Sequence, residues 1–156
     1  HVMDDIPTEV VQAESQIQIQ ICPYLGTAPD LWRLLDVDPV RSSGRVLISH
    51  GSRRPAGQQT VEAIAAKLGA IPAYWSIAPD LDTQVTILVR QGVQEIEVLP
   101  YFLFEGVTTD AIAQKVAQLQ QQYPAAQIHL RQPIGATPQL VTLILELLAE
   151  PTISLR

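Results

Sequence analysis

From residue 45 onward the chain predicts an α/β fold, a doubly wound parallel four-stranded sheet with helices on both faces. Three observations carry this expectation. Short β-like runs alternate with stretches whose apolar residues recur at three- and four-residue spacing. Gly69 and Gly92 stand where two of those stretches should end as helices. The run EVLPYFLF is almost continuously apolar, as a strand covered on both faces must be.

Taken in order, strands are predicted at 45–50, 72–77, 95–104 and 126–131. The connecting segments GQQTVEAIAAKLGA, PDLDTQVTILVRQG and TTDAIAQKVAQLQQQY have helical periodicity, and PQLVTLILELLAE supplies a fourth helix. Thr108 and Thr109 are the natural N-caps for the third. Together these make a complete βαβαβαβα unit over 45–150, with 151–156 as a tail. In such folds ligands bind beyond the carboxyl ends of the strands.

Residues 1–44 read differently, as a helix from about Asp4, a strand at 16–22, a short helix from Ala28 and the polar linker DVDPVRSSG. This segment resembles a later part of the same chain. QIQICPYLGTAPDLWRLL, from Gln18, aligns with QIHLRQPIGATPQLVTLI, from Gln127, sharing the strand pattern, the Gly and Pro spacing and the Leu that follows. With a small gap, Asp4, Ile6 and Val10 fall opposite Asp110, Ile112 and Val116, which brings His1 to within one residue of Thr108. The expectation is an internal repeat whose first copy is truncated, residues 1–44 being its end plus a linker.

Composition narrows the function classes. A chain of 156 residues, 47% hydrophobic, can bury one ordinary core. No apolar run approaches the roughly 20 residues of a membrane span, and HVMDDIPTEV lacks the basic start and apolar stretch of a signal peptide, so a cytoplasmic protein without a membrane partner is expected. The single cysteine, Cys22, excludes an intrachain disulfide and a cysteine zinc cluster, and a packed or edge position is expected for it. A net charge of -6 with only ten Lys and Arg argues against a nucleic-acid partner.

Chemistry concentrates in RVLISHGSRRPAGQQT. His50 closes the first predicted strand, on the rim where doubly wound folds keep their sites. A neutral imidazole can ligate a divalent transition metal or accept a proton, and Gly51 lets the backbone turn sharply to expose it. Ser52, Arg53 and Arg54 precede a helix start, where backbone N–H groups and guanidinium groups favour an anion. A solvated basic loop and a strand-capping histidine are the plainer alternatives. The second stretch, EVLPYFLFEGVTTDAIA, ends in Phe104, Glu105 and Gly106 at the same sheet edge. Phe102 and Phe104 can contribute at most one ligand contact between them. Glu105 could assist proton removal or could be a solvated loop carboxylate.

The strand ending in HGSR, the later LPYFLFEGV before a helix, the QPIGATPQL segment and the duplication together resemble the sirohydrochlorin chelatase family of the CbiX type. The resemblance implies a chelatase-like fold of flavodoxin-like topology. It implies a lyase that inserts Co²⁺ or Fe²⁺ into the tetrapyrrole sirohydrochlorin, in cobalamin or sirohaem biosynthesis, with no organic cofactor. By resemblance His50 is the active histidine of the complete repeat, and His1, just ahead of an intact Asp5-Ile6-Pro7, stands where the second active histidine belongs. Both would handle metal and protons. Gly51, Ser52, Arg53, Arg54, Phe104, Glu105 and Gly106 would meet the substrate, whose rim carboxylates suit the two arginines.

Two departures from the family pattern shape the alternatives. Gly106-Val107-Thr108 replaces a Gly-Val-His motif, and Ser76 stands where related sequences often carry a glutamate. One reading is a working chelatase using His50 and His1, within the chain or across a homodimer. The other is a degenerate half that binds tetrapyrrole or stabilises a missing first repeat without turnover. A phosphate-binding loop was the third possibility, but the glycine-rich cradle is lacking.

Overall fold

The computed structural model describes residues 8–9, 19–36, 44–149 and 153–155. Two compact units are distinguished, one of His1–Leu31 with Pro138–Arg156, the other Trp32–Thr137.

The larger unit is built on four parallel strands, β2 (Gly44–Ser49), β3 (Ile71–Tyr74), β4 (Glu95–Pro100) and β5 (Gln127–Leu130), in the order β3-β2-β4-β5. The crossovers are α1 (Pro55–Lys67), α2 (Leu81–Arg90) and α3 (Val107–Gln122). A further helix, α4 (Pro138–Ala149), follows β5 in sequence and belongs to the smaller unit; the predicted four-stranded α/β class and the four helices are observed.

Alternation along the strands sorts the core. Val46, Ile48, Ala73, Ile96, Val98 and Ile128 point to one face and meet Leu81, Val85 and Leu88 of α2 and Ile112, Val116 and Leu119 of α3. Leu47 and Leu99 point the other way and are equally buried. A right-handed crossover from β2 to β3 puts α1, with buried Val61, Ile64 and Ala65, on that second face.

The helices stop where their glycines demand. Gly69 and Gly92 follow the last helical turns with φ of 62° and 83°, left-handed conformations that glycine adopts at little cost. The start of α3 corrects the expected caps. Gly106 is the N-cap, and Thr109, one turn inside, accepts from the Gly106 N–H and donates to the Gly106 carbonyl, both at 2.7 Å. Thr109 thus caps backwards from within the helix, and Thr108 is a helical residue.

Two strands are shorter than their apolar runs suggest. β4 stops at Pro100 because the following backbone turns to other partners: the Phe102 and Leu103 carbonyls accept from Ile134 N–H at 3.0 Å and Gly135 N–H at 2.7 Å. β3 stops at Tyr74, whose N–H donates to the Pro79 carbonyl at 2.9 Å and closes a loop over 75–79.

In the smaller unit, β1 (Ile19–Ile21) pairs antiparallel with β6 (Ile153–Leu155), Ile19 opposite Leu155 and Ile21 opposite Ile153. The terminal residues read as a tail therefore contain a strand. Cys22 is half-buried. In the aligned copies β1 stands where β5 does, and Leu31, 2% exposed, stands where Leu140, 4% exposed, begins the buried stripe of α4. The first copy forms only a 3-10 turn there, over Leu31–Leu34, in place of the expected helix from Ala28. Asp4, Ile6 and Val10 lie outside the described residues.

Candidate functional site

At the carboxyl edge of the parallel sheet the loops after β2, β3, β4 and β5 converge, as the strand order requires. β2 and β4 are neighbours to their last residues, with Ile48 opposite Pro100 and the Tyr101 N–H donating to the Ile48 carbonyl at 2.8 Å. The HGSRR and FEG loops thereby leave adjacent strands at one edge.

His50 is exposed directly after β2. Both peptide groups around it are held by the loop after β3. The Ser49 carbonyl accepts from the Trp75 N–H at 2.8 Å, and the His50 carbonyl accepts from the Ser76 N–H at 2.9 Å and the Ser76 hydroxyl at 2.7 Å. Gly51 follows with φ of 92°, and a Cβ there would lie 2.9 Å from Ile77 Cγ1 and 3.1 Å from Tyr74 Cβ. Only glycine satisfies both the backbone and the space.

Ser52 anchors the loop to α1. Its hydroxyl accepts from the Arg54 N–H at 3.1 Å, and its carbonyl accepts from the Gln58 side-chain amide at 2.8 Å. Arg54 is the N-cap of α1 and Pro55 its first residue, so Arg53 and Arg54, both exposed, sit at the positive end of a thirteen-residue helix. This is an anion-favouring corner.

The FEG loop supplies the apolar counterpart. Phe102 packs against the core, while Phe104 is 58% exposed, so Phe104 is the one of the pair available to a ligand. Leu103, Val107 and Trp75 are also exposed at this edge, a concentration of uncovered apolar surface beside His50 and the arginines. Glu105 and Gly106 are exposed. His1 lies outside the described residues, and among those described no group of three or more His, Cys, Asp or Glu side chains could hold a metal. Thr108 is half-buried in the first turn of α3.

Trp75 and Ser76 were not among the sequence-derived site residues. The only signal for Ser76 is the glutamate that the resemblance leads one to expect there, and that says nothing of the bond Ser76 makes to His50.

The family model described as CbiX matches residues 44–151. A sirohydrochlorin cobaltochelatase of Methanopyrus kandleri is 25% identical, the match spanning 67% of this chain and 94% of the relative. A solved CbiX protein from Marinobacter aquaeolei VT8 is 29% identical over 67% of this chain and 90% of its own, with a TM-score of 0.59. The sirohydrochlorin chelatase SirB of Bacillus subtilis subspecies spizizenii, solved in complex with cobalt, is 25% identical with a TM-score of 0.69. It is matched by 94% of this chain over 62% of its own length. SirB from Bacillus subtilis with Fe³⁺, 22% identical, shares the fold with a TM-score of 0.75 over 95% of this chain and 65% of that one.

Proposed function

Because the chain belongs to the CbiX family of sirohydrochlorin chelatases, we propose that it inserts Co²⁺ or Fe²⁺ into sirohydrochlorin as a metal-chelating lyase, feeding cobalamin or sirohaem synthesis in the cytoplasm. The observation that carries the reading is the exposed His50 beside an uncovered apolar rim and an arginine corner, at one edge of the sheet. Each part suits one part of the substrate. Phe104, Trp75 and Leu103 offer apolar surface to the macrocycle, and Arg53 and Arg54 offer charge-assisted donors to its carboxylates.

The metal is a substrate here, and no organic cofactor is involved. Insertion forms bonds from the metal to the ring nitrogens, and two pyrrole N–H protons leave. His50 either presents the ion to one ring face or accepts a proton, and Glu105 is placed at the same edge to pass protons to solvent. His1 completes the pair in this reading.

The test is anaerobic absorbance of sirohydrochlorin with Co²⁺ or Fe²⁺, the protein-catalysed rate set against metal alone. Acceleration that disappears in His50→Ala is the expected result. An unaffected rate in His50→Ala removes the role assigned to it.

The half-buried Thr108 favours a second reading, since a hydroxyl is a poor ligand for these metals compared with imidazole. In it the chain holds tetrapyrrole, as the degenerate half of a duplicated chelatase, and does not turn over. A spectrum that shifts on binding but metallates no faster than the control would favour that reading. We also propose that two chains assemble as a homodimer, since an exposed apolar face invites a partner and α4 leaves Val141, Ile144, Leu145 and Leu148 uncovered opposite its buried stripe. Light scattering that gives a clean monomer would remove the dimer.

A further inference from the structure

We propose that Ser76 is a positioning residue for His50, its hydroxyl setting the direction in which the imidazole is presented. The inference rests on the chelatase reading for its catalytic consequence and on geometry for everything else. A side chain at the end of a strand inherits its direction from the two peptide planes that flank its Cα, each of which is rigid. Both planes at His50 are pinned by consecutive residues of one loop. Trp75 N–H holds the Ser49 carbonyl at 2.8 Å, and Ser76 holds the His50 carbonyl twice, through N–H at 2.9 Å and Oγ at 2.7 Å.

The second plane most needs holding. It leads into Gly51, a residue with a positive φ of 92° and no side chain to limit its rotation. A carbonyl with two donors uses both of its lone pairs, so the His50–Gly51 peptide has one favoured orientation. Once it is set, the imidazole retains only its own two torsions. Of the three donors, the Ser76 hydroxyl alone belongs to a side chain. It is therefore the one that substitution removes while the backbone pairing stays in place. Ser76 is exposed and is not a member of the buried core cluster, so its hydroxyl contributes to direction more than to stability.

Ser76→Ala and Ser76→Thr are the variants, read by two independent measurements. In the insertion assay with sirohydrochlorin and Co²⁺, Ser76→Ala is expected to lower kcat roughly tenfold with KM for sirohydrochlorin unchanged, and Ser76→Thr, which keeps the hydroxyl, to recover most of the loss. In NMR spectra of protein carrying ¹³C-labelled histidine, the His50 ring signals, assigned by their loss in His50→Ala, are expected to shift or broaden in Ser76→Ala and to return in Ser76→Thr. Unchanged His50 signals with an unchanged kcat, even alongside a lower melting temperature, would overturn the proposal. If wild-type protein inserts no metal, the chelatase reading fails separately, and the ring signals alone decide whether Ser76 orients His50.

Discussion

Arg45 and Glu97 are register partners on the two central strands, and Arg45 Nε donates to Glu97 Oε2 at 2.8 Å where Glu97 has no exposed surface. Arg131 Nε lies 3.4 Å from the other carboxylate oxygen. Arg45 also donates to Asp36 at 2.9 Å and to the Leu68 carbonyl at 2.9 Å. Burial works against the Arg45 charge, but its hydrogen bonds to Glu97 and Asp36 outweigh burial and hold its pKa above the ordinary value.

Such a network adds little over an apolar core while intact, and its value shows when one member is removed. Glu97→Ala removes the partner of Arg45 Nε and leaves the guanidinium, 14% exposed, with Asp36 and the Leu68 carbonyl as its remaining partners. The expected cost is about 1–3 kcal/mol, that of a buried charged donor losing one of its partners, measured as a fall in the urea unfolding midpoint. A loss below about 1 kcal/mol would mean that the arginine finds water, and that the pair behaves as a surface bridge.

Asp80 gives a pH-dependent prediction. It is the N-cap of α2 and accepts from the Thr83 N–H at 2.9 Å. The Thr83 side chain first, and then its N–H, hold the Asp80 pKa below its ordinary value. A carboxylate lowered by folding stabilises the native state above its unfolded pKa, near 4, and loses that contribution as pH falls through the folded value. Asp80→Ala is therefore expected to cost about 1 kcal/mol at neutral pH. The gap between wild type and variant should close below about pH 4. Thermal unfolding followed across that range checks both the size and the direction, and a gap that widens on acidification would refute the assignment.

The contrast between Arg45 and His50 shows what the sequence made legible. His50 could be placed because its position depends on local pattern, a β-like run followed by glycine, and doubly wound folds put such ends at one rim. Gly69 and Gly92 were legible for the same reason. Glu97 was not: in EIEVLP it alternates as a solvent-facing residue would, and only a partner 52 positions away explains why it can be buried. Ser76 is the same kind of case, bonded to a carbonyl 26 positions away. The N-cap of α3 escaped because threonine caps from either side of a helix start, and Thr109 uses the less common one. The pairing of β6 with β1 joins the two ends of the chain, and no local signal announces such a partner.

The arginine corner yields the last prediction. Arg53 and Arg54 are exposed beside the α1 N-terminus, so under the proposed function any interaction they make with a substrate carboxylate would be weakened by water and by salt. Replacing both with alanine is expected to raise KM for sirohydrochlorin roughly three- to tenfold with kcat nearly unchanged, the effect being largest at low ionic strength. Replacing both with lysine separates two contributions. Lysine keeps the charge but lacks the planar fork, so recovery by lysine would assign the corner to long-range attraction, and failure to recover would assign it to bidentate recognition of carboxylates. A KM indifferent to either pair of substitutions would move the substrate carboxylates away from this loop and leave Ser52 and Gly51 to serve only the backbone path that exposes His50.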